Sequence, residues 1–200
     1  MKKRILLILL TLVLAVALVI PMAIPVAAQG VTTLNLKVVQ GYEIFAGIVS
    51  GGNRYGATFV AQVAGMDNDN KTYTGALTVS TNYAGTAPVP GQSNNLIGGS
   101  WTLTLVQKGK TVGTIAGIIN CSGGSVDWLP KADPNANPPV IAGTDQGNVY
   151  APVTFMGISK TFAGKTGTGT FTGQDVHASG IYLFGIEVPT VNGTLSLTFK

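Results

Sequence analysis

Trp101-Thr102-Leu103-Thr104-Leu105-Val106-Gln107-Lys108-Gly109-Lys110-Thr111 is the stretch that decides the fold. Trp101, Leu103 and Leu105 alternate with Thr102 and Thr104, so a strand puts the apolar side chains on one face and the hydroxyls on the other. Gln107-Lys108-Gly109-Lys110 then reads as a tight hairpin into a second strand over 111–119. The same period of two recurs in Leu34, Leu36 and Val38, in Ala57, Phe59, Ala61 and Val63, in Tyr73, Leu77 and Val79, and in Leu195, Leu197 and Phe199. Thr and Ser fill many of the alternate places, as suits a solvated face of β-branched polar residues. Beyond Gln29 no stretch of helical length keeps a 3.6-residue apolar period. The reading is an all-β protein whose sheet is antiparallel and covered on one face only.

Turn chemistry separates the runs. Gly51-Gly52-Asn53 and Asp67-Asn68-Asp69-Asn70 mark two further turns. Two longer stretches carry prolines, Gly85 to Gly99 and Leu129 to Asn148, and are expected to be irregular, since proline removes ladder donors. Gly75, Gly113, Gly117, Gly169, Gly173 and Gly185 stand inside candidate strands. Glycine there marks sharp bending or a close backbone neighbour, and bending is what closing a small barrel demands. The preferred architecture is a single antiparallel β-barrel over 29–200, with a β-sandwich as the alternative.

Residues 1–28 have the layout of an export signal. Lys2, Lys3 and Arg4 precede an uncharged apolar run from Ile5, Pro21 and Pro25 interrupt it, and Val26-Ala27-Ala28 offers small residues before a cut at Gln29. The run is also long enough to serve as an uncleaved membrane-anchoring helix. Either way the basic flank stays inside and the remainder lies outside the cytoplasmic membrane, so the expected location is secreted or extracytoplasmic. The formal charge of +4 comes mostly from this segment: three of the 12 Lys and Arg residues stand in it, leaving 9 against 8 acidic residues. No basic stripe remains for nucleic acid, and the only expected membrane contact is through the N-terminal segment. Charged residues make up 10% of the chain, so hydroxyls and amides must supply most of the polar surface. Cys121 stands alone, which rules out an internal disulfide, and its expected place is that of a small buried hydrophobe at a strand end.

The run Gly157-Ile158-Ser159-Lys160-Thr161-Phe162-Ala163-Gly164-Lys165-Thr166-Gly167-Thr168-Gly169-Thr170-Phe171-Thr172-Gly173 resembles a segment of allene oxide cyclase-like and dirigent-like barrels. Val191 to Phe199 is similar to the closing strand of such domains, and Gly113 to Trp128 fits the pattern more loosely. The resemblance covers about half of the chain after the leader and implies a β-barrel. It carries no catalytic motif across, and a Gly-Gly-Thr-Gly start seen in the family is replaced here by Gly157-Ile158-Ser159-Lys160.

Several chemistries can be tested against the residues. Gly164-Lys165-Thr166 has the ending of a phosphate-binding loop, but Ser159 stands where its first glycine belongs, so a turn is expected. Asp67-Asn68-Asp69-Asn70 opens like a calcium loop, but Lys71 occupies a ligand place, so a hairpin turn is expected and no metal. His177 is the sole histidine, and Asp175 and Ser179 flank it at strand spacing of about 6.5 Å, too far apart for a relay without bending. Glu43 and Glu187 are the only glutamates. They could meet inside a barrel with one pKa raised, and the plainer expectation is two outward, solvated side chains. No catalytic residue and no cofactor is assigned. Trp101 continues the Leu103 face and belongs to the core, whereas Trp128 and Tyr83, with Glu43 and Glu187, are the candidates for ligand contact.

The expected function is an exported structural or interaction module without enzyme activity, its partner an unidentified surface or small molecule. The alternative is a protein binding a small apolar ligand or a carbohydrate. Apolar-ligand carriage requires a barrel cavity of several hundred Å³ lined by aliphatics and one or two tyrosines. The remaining reading, an isomerase-type enzyme, requires Glu43, Glu187 or His177 to face one common pocket.

Overall fold

The computed structural model describes residues 32–130, 135, 144–178, 182–183, 186–187 and 189–200. The expected leader, 1–28, lies outside them. Twelve strands occur among the described residues, in chain order: β1 (Thr33–Phe45), β2 (Ile48–Ser50), β3 (Asn53–Asp67), β4 (Thr72–Ala84), β5 (Ser93–Gln107), β6 (Lys110–Ile119), β7 (Ser125–Trp128), β8 (Thr144–Lys160), β9 (Thr166–Ala178), β10 (Tyr182–Leu183), β11 (Ile186–Glu187) and β12 (Thr190–Phe199). No helix occurs among the described residues.

Eight strands form a closed antiparallel barrel in the order β1-β12-β9-β8-β6-β5-β4-β3, and pairing of β1 with β3 completes the ring. Two ring positions are each filled by two strands in succession. β2 takes over from β1 along β3, and β7 takes over from β6 between β5 and β8. β10 and β11 form a separate two-stranded ribbon. The barrel reading therefore holds, and the sandwich is excluded.

The expected alternation is what faces the rows inward. Leu34, Leu36, Leu103, Leu105 and Leu197 are all at most 1% exposed, and the alternate residues Asn35, Thr104 and Ser196 lie on the outer face. Outer hydroxyls meet across the strands, as in Thr104 Oγ1 to Thr114 Oγ1 at 3.4 Å. The Gln107–Lys110 hairpin is tight, with Lys108 at φ 50° and Gly109 at φ 73°, the two positive values that match a right-handed strand twist. The Asp67–Asn70 turn is closed by its own carboxylate: Asp67 Oδ1 accepts the backbone N–H of Asp69 and Lys71, and Oδ2 accepts the Tyr73 hydroxyl.

Strand glycines here serve close approach. A Cβ on Gly117 would lie 2.1 Å from the Thr154 carbonyl oxygen and 2.7 Å from the Trp101 indole, so the indole can lie flush against the β6 backbone. Three expectations are corrected. The irregular stretch from Gly85 ends at Gln92, because β5 starts at Ser93 and absorbs Gly98 and Gly99 at positive φ. Pairing with β9 likewise makes 144–148 part of β8 instead of loop. Cys121 is exposed, because the chain leaves β6 at Ile119 and turns outward, bringing Sγ to 3.3 Å from the Ile97 carbonyl.

One end of the barrel is plugged by aromatic rings. The turn between β8 and β9, which contains the Gly164-Lys165 pair, folds back on itself: Gly157 N–H donates to Lys165 O and Gly164 N–H to Gly157 O. This fold drives Phe162, fully buried, into the barrel end, where it stacks on Phe199 at 5.7 Å. Phe199 meets Phe155 edge-on at 4.9 Å, and Phe155 meets Trp101 at 6.1 Å. Truncating the plug should be costly because no neighbour can collapse into its place. Phe162→Ala is expected to lower the unfolding free energy by about 3–5 kcal/mol, read as a fall in urea midpoint with the m-value unchanged.

Candidate functional site

Above the plug the interior is hollow. A cavity of about 90 Å³ runs from Trp101 toward the opposite end of the barrel, with Val79, Val153 and Leu195 among its aliphatic walls and Phe171, Tyr83 and Trp128 among its rings. Its lining agrees with the aliphatic and tyrosine wall expected of a carrier. It is much smaller than the several hundred Å³ expected, because the bulk of Trp101, Trp128 and Phe171 occupies barrel volume.

The acidic member of this wall is Asp175 on β9. It belongs to the inward row Phe171, Gly173, Asp175 and His177, and its register partners are Gly147 on β8 and Val191 on β12. Gly147 presents no side chain, and the space above it is filled by Trp128 and Val126. Asp175 is 7% exposed; its Oδ2 accepts from His177 Nε2 at 3.3 Å, while Oδ1 is buried and makes no hydrogen bond among the described residues. The strand spacing that argued against this pair is bridged because both side chains lean toward each other from one face.

Glu43 joins the cluster and is only 5% exposed, against the expectation of a solvated carboxylate. The reason is a β-bulge. Val38 pairs with Val63 and Gln40 with Gln62, so Val39 is an extra residue that shifts the alternation of β1 by one. Leu34, Leu36 and Val38 face inward before it; Gly41 and Glu43 face inward after it. Glu43 thus lies opposite Phe59, itself a cavity residue, and its backbone N–H donates to Pro189 O.

Burial first, and then the negative charge of Asp175, push the Glu43 carboxyl up to about 7, with His177 and Arg54 pulling the other way. For His177 burial alone would lower the pKa, but the hydrogen bond and charge of Asp175, followed by Glu43 and Asp145, outweigh it and raise the imidazole above 6.5. Tyr83 is pushed up to about 12, chiefly by burial, and stays a neutral phenol. Arg54 completes the rim. Its Nη1 donates to Ala46 O at 2.7 Å and its Nε to Thr86 O at 3.0 Å, while its cation lies 5.9 Å from the Tyr83 ring centre.

Of the candidates read from sequence, Trp128, Tyr83 and Glu43 converge at this end. Trp128 is 5% exposed, donates its Nε1–H to Asn94 Oδ1 at 2.6 Å and meets His177 edge-on at 5.4 Å. The side chain of Glu187 lies outside the described residues. Asp175 was passed over as a ligand residue, although its place in the row of Phe171 and Gly173 marks it as inward. Arg54 and Asn94 carry no signal in the sequence, since their roles depend on strand ends meeting at the rim. No family model, curated protein or solved structure matches this chain.

The cluster gives the fold an acid-side stability bias. Between pH 4.5 and about 7 the folded protein keeps a proton on Glu43 that the unfolded chain releases, so stability falls as pH rises through that window. His177 adds the same sign: its contribution is complete below 6.5 and is lost as pH rises through its raised folded value. Urea unfolding of the wild type should therefore weaken by about 3 kcal/mol from pH 4.5 to 8 on account of Glu43, and Glu43→Gln should remove most of that slope. An unchanged slope in the variant would place the proton elsewhere.

Proposed function

We propose that this barrel is an extracytoplasmic binding protein that holds a small, mainly apolar molecule in its interior, entered from the end carrying Glu43, Asp175 and His177. The observation that carries the reading is the apolar cavity of about 90 Å³ with a single carboxylate, Asp175, in its wall among the described residues. An engineered apolar cavity of roughly 150 Å³ accommodates benzene, so this one suits a compact body of about five carbons. Leader-like residues 1–28 support the location outside the cytoplasmic membrane, and barrel architecture agrees with the resemblance to allene oxide cyclase-like and dirigent-like domains.

A second reading, an interaction module, draws on exposed apolar side chains at the same rim. Ile44, Phe45, Ile48 and Val49 are each at least 50% exposed where β1 passes into β2. Isolated apolar side chains are ordinary on a surface, but four in one short segment are not.

Burying a five-carbon ring contributes roughly 4 kcal/mol before association costs, so a Kd no tighter than on the order of 1 mM is expected. Both tryptophans of the chain line the cavity, so intrinsic fluorescence reports on it directly. Cyclopentane should bind saturably with a change in tryptophan emission, and Ala151→Leu, which fills the wall, should weaken binding at least about tenfold. Absence of saturable binding to the folded wild type would overturn the ligand reading.

A further inference from the structure

We infer that the cavity selects a small protonated amine with an apolar body, its ammonium group held at Asp175. The inference rests on the ligand-binding reading and names the chemistry at the polar end of that site.

Asp175 is more than nine-tenths buried and one of its oxygens, Oδ1, has no hydrogen-bond donor among the described residues. A buried carboxylate oxygen without a donor is costly, and a ligand N–H placed against it recovers that cost. The other carboxylate oxygen is already engaged by His177, so Oδ1 is the oxygen of this side chain still short of a donor.

The surrounding charges favour a cation over a neutral donor. Asp175 stands close enough to Glu43 for its negative charge to disfavour ionisation of the Glu43 carboxyl, and Asp145 on β8 pairs in register with His177. The positive groups are His177, which is tied to Asp175, and Arg54, whose donors go to the carbonyls of Ala46 and Thr86. Neither supplies Oδ1. An ammonium placed there meets the Asp175 carboxylate within the field of Glu43, whereas a ligand carboxylate would meet Asp175 as a like charge.

The apolar wall points the same way. Trp101, Trp128, Phe171, Phe59 and Tyr83 all line the cavity, and aromatic faces attract a cation where water is excluded. A body of about five carbons fills the remaining space against Val79 and Val153.

The test titrates the folded protein with four ligands of one shape, cyclopentylamine, cyclopentanol, cyclopentane and cyclopentanecarboxylate, at pH 8 with tryptophan emission as readout. Cyclopentylamine is expected to bind at least about tenfold tighter than cyclopentanol, to be displaced by cyclopentane, and the carboxylate to give no saturation. Asp175→Asn should bring the amine-to-alcohol ratio to within about twofold; Glu43→Gln, a milder change, should reduce the ratio by about threefold. Should Asp175→Asn fail to fold, the wild-type order and Glu43→Gln still decide. If cyclopentane binds and the amine binds no tighter than the alcohol, the amine inference is overturned while the cavity reading stands. If none of the four binds, both fall.

Discussion

Pairing of β1 with β3 closes the sheet, and the extra residue Val39, the first of two bulges within that pairing, sets what the closed sheet contains. Without the bulge at Val39, the parity of Leu34, Leu36 and Val38 would run on unchanged to Glu43, which would face water. With it, the strand delivers leucines to the plugged end and a carboxylate to the open end. One inserted residue thus changes the chemistry of the interior along a single strand. The bulge also tightens the local twist, which helps a ring of eight strands to close.

The two ends of the barrel are packed on different terms. At one, Phe162, Phe199, Phe155 and Trp101 contact one another in series, and the turn after β8 is folded to supply the innermost ring. At the other, Asp175, Glu43 and His177 replace apolar side chains, and polar groups cannot be packed to the density of hydrocarbon without partners. A void beneath a cluster of titratable groups follows from that substitution. The stability of the plug offsets the cost of keeping carboxyls away from water, and the two regions communicate through the same strands, β8, β9 and β12.

Much of this was legible in the residues, and the exceptions share a cause. Alternation in Leu34 to Val38, Ala57 to Val63 and Trp101 to Leu105 identifies strands and their buried faces, because parity is a local property. Glycine-rich β6 and β9 point to a coiled, closed sheet for the same reason. Glu43 was misplaced because the bulge at Val39 exists only in pairing with β3, some twenty residues onward, and no local pattern marks it. The start of β5 at Ser93 and that of β8 at Thr144 were hidden likewise, since their partners, Asp127 and Ala178, lie more than thirty residues away in the chain. Trp128 and Tyr83 were legible as ligand-facing candidates from their aromatic character. Asp175 was legible in parity, yet was weighed only as a catalytic relay with His177.

The threonine coat has a consequence for how the protein senses its surroundings. With one residue in ten charged and the outer face built from hydroxyls, dissolved ions find little on the barrel wall to screen. Brackish or dilute media should leave the fold almost indifferent, since its hydrogen-bonding shell is neutral. Acidity is another matter, for it is felt at the mouth, where a few ionisable groups stand over an oily hollow.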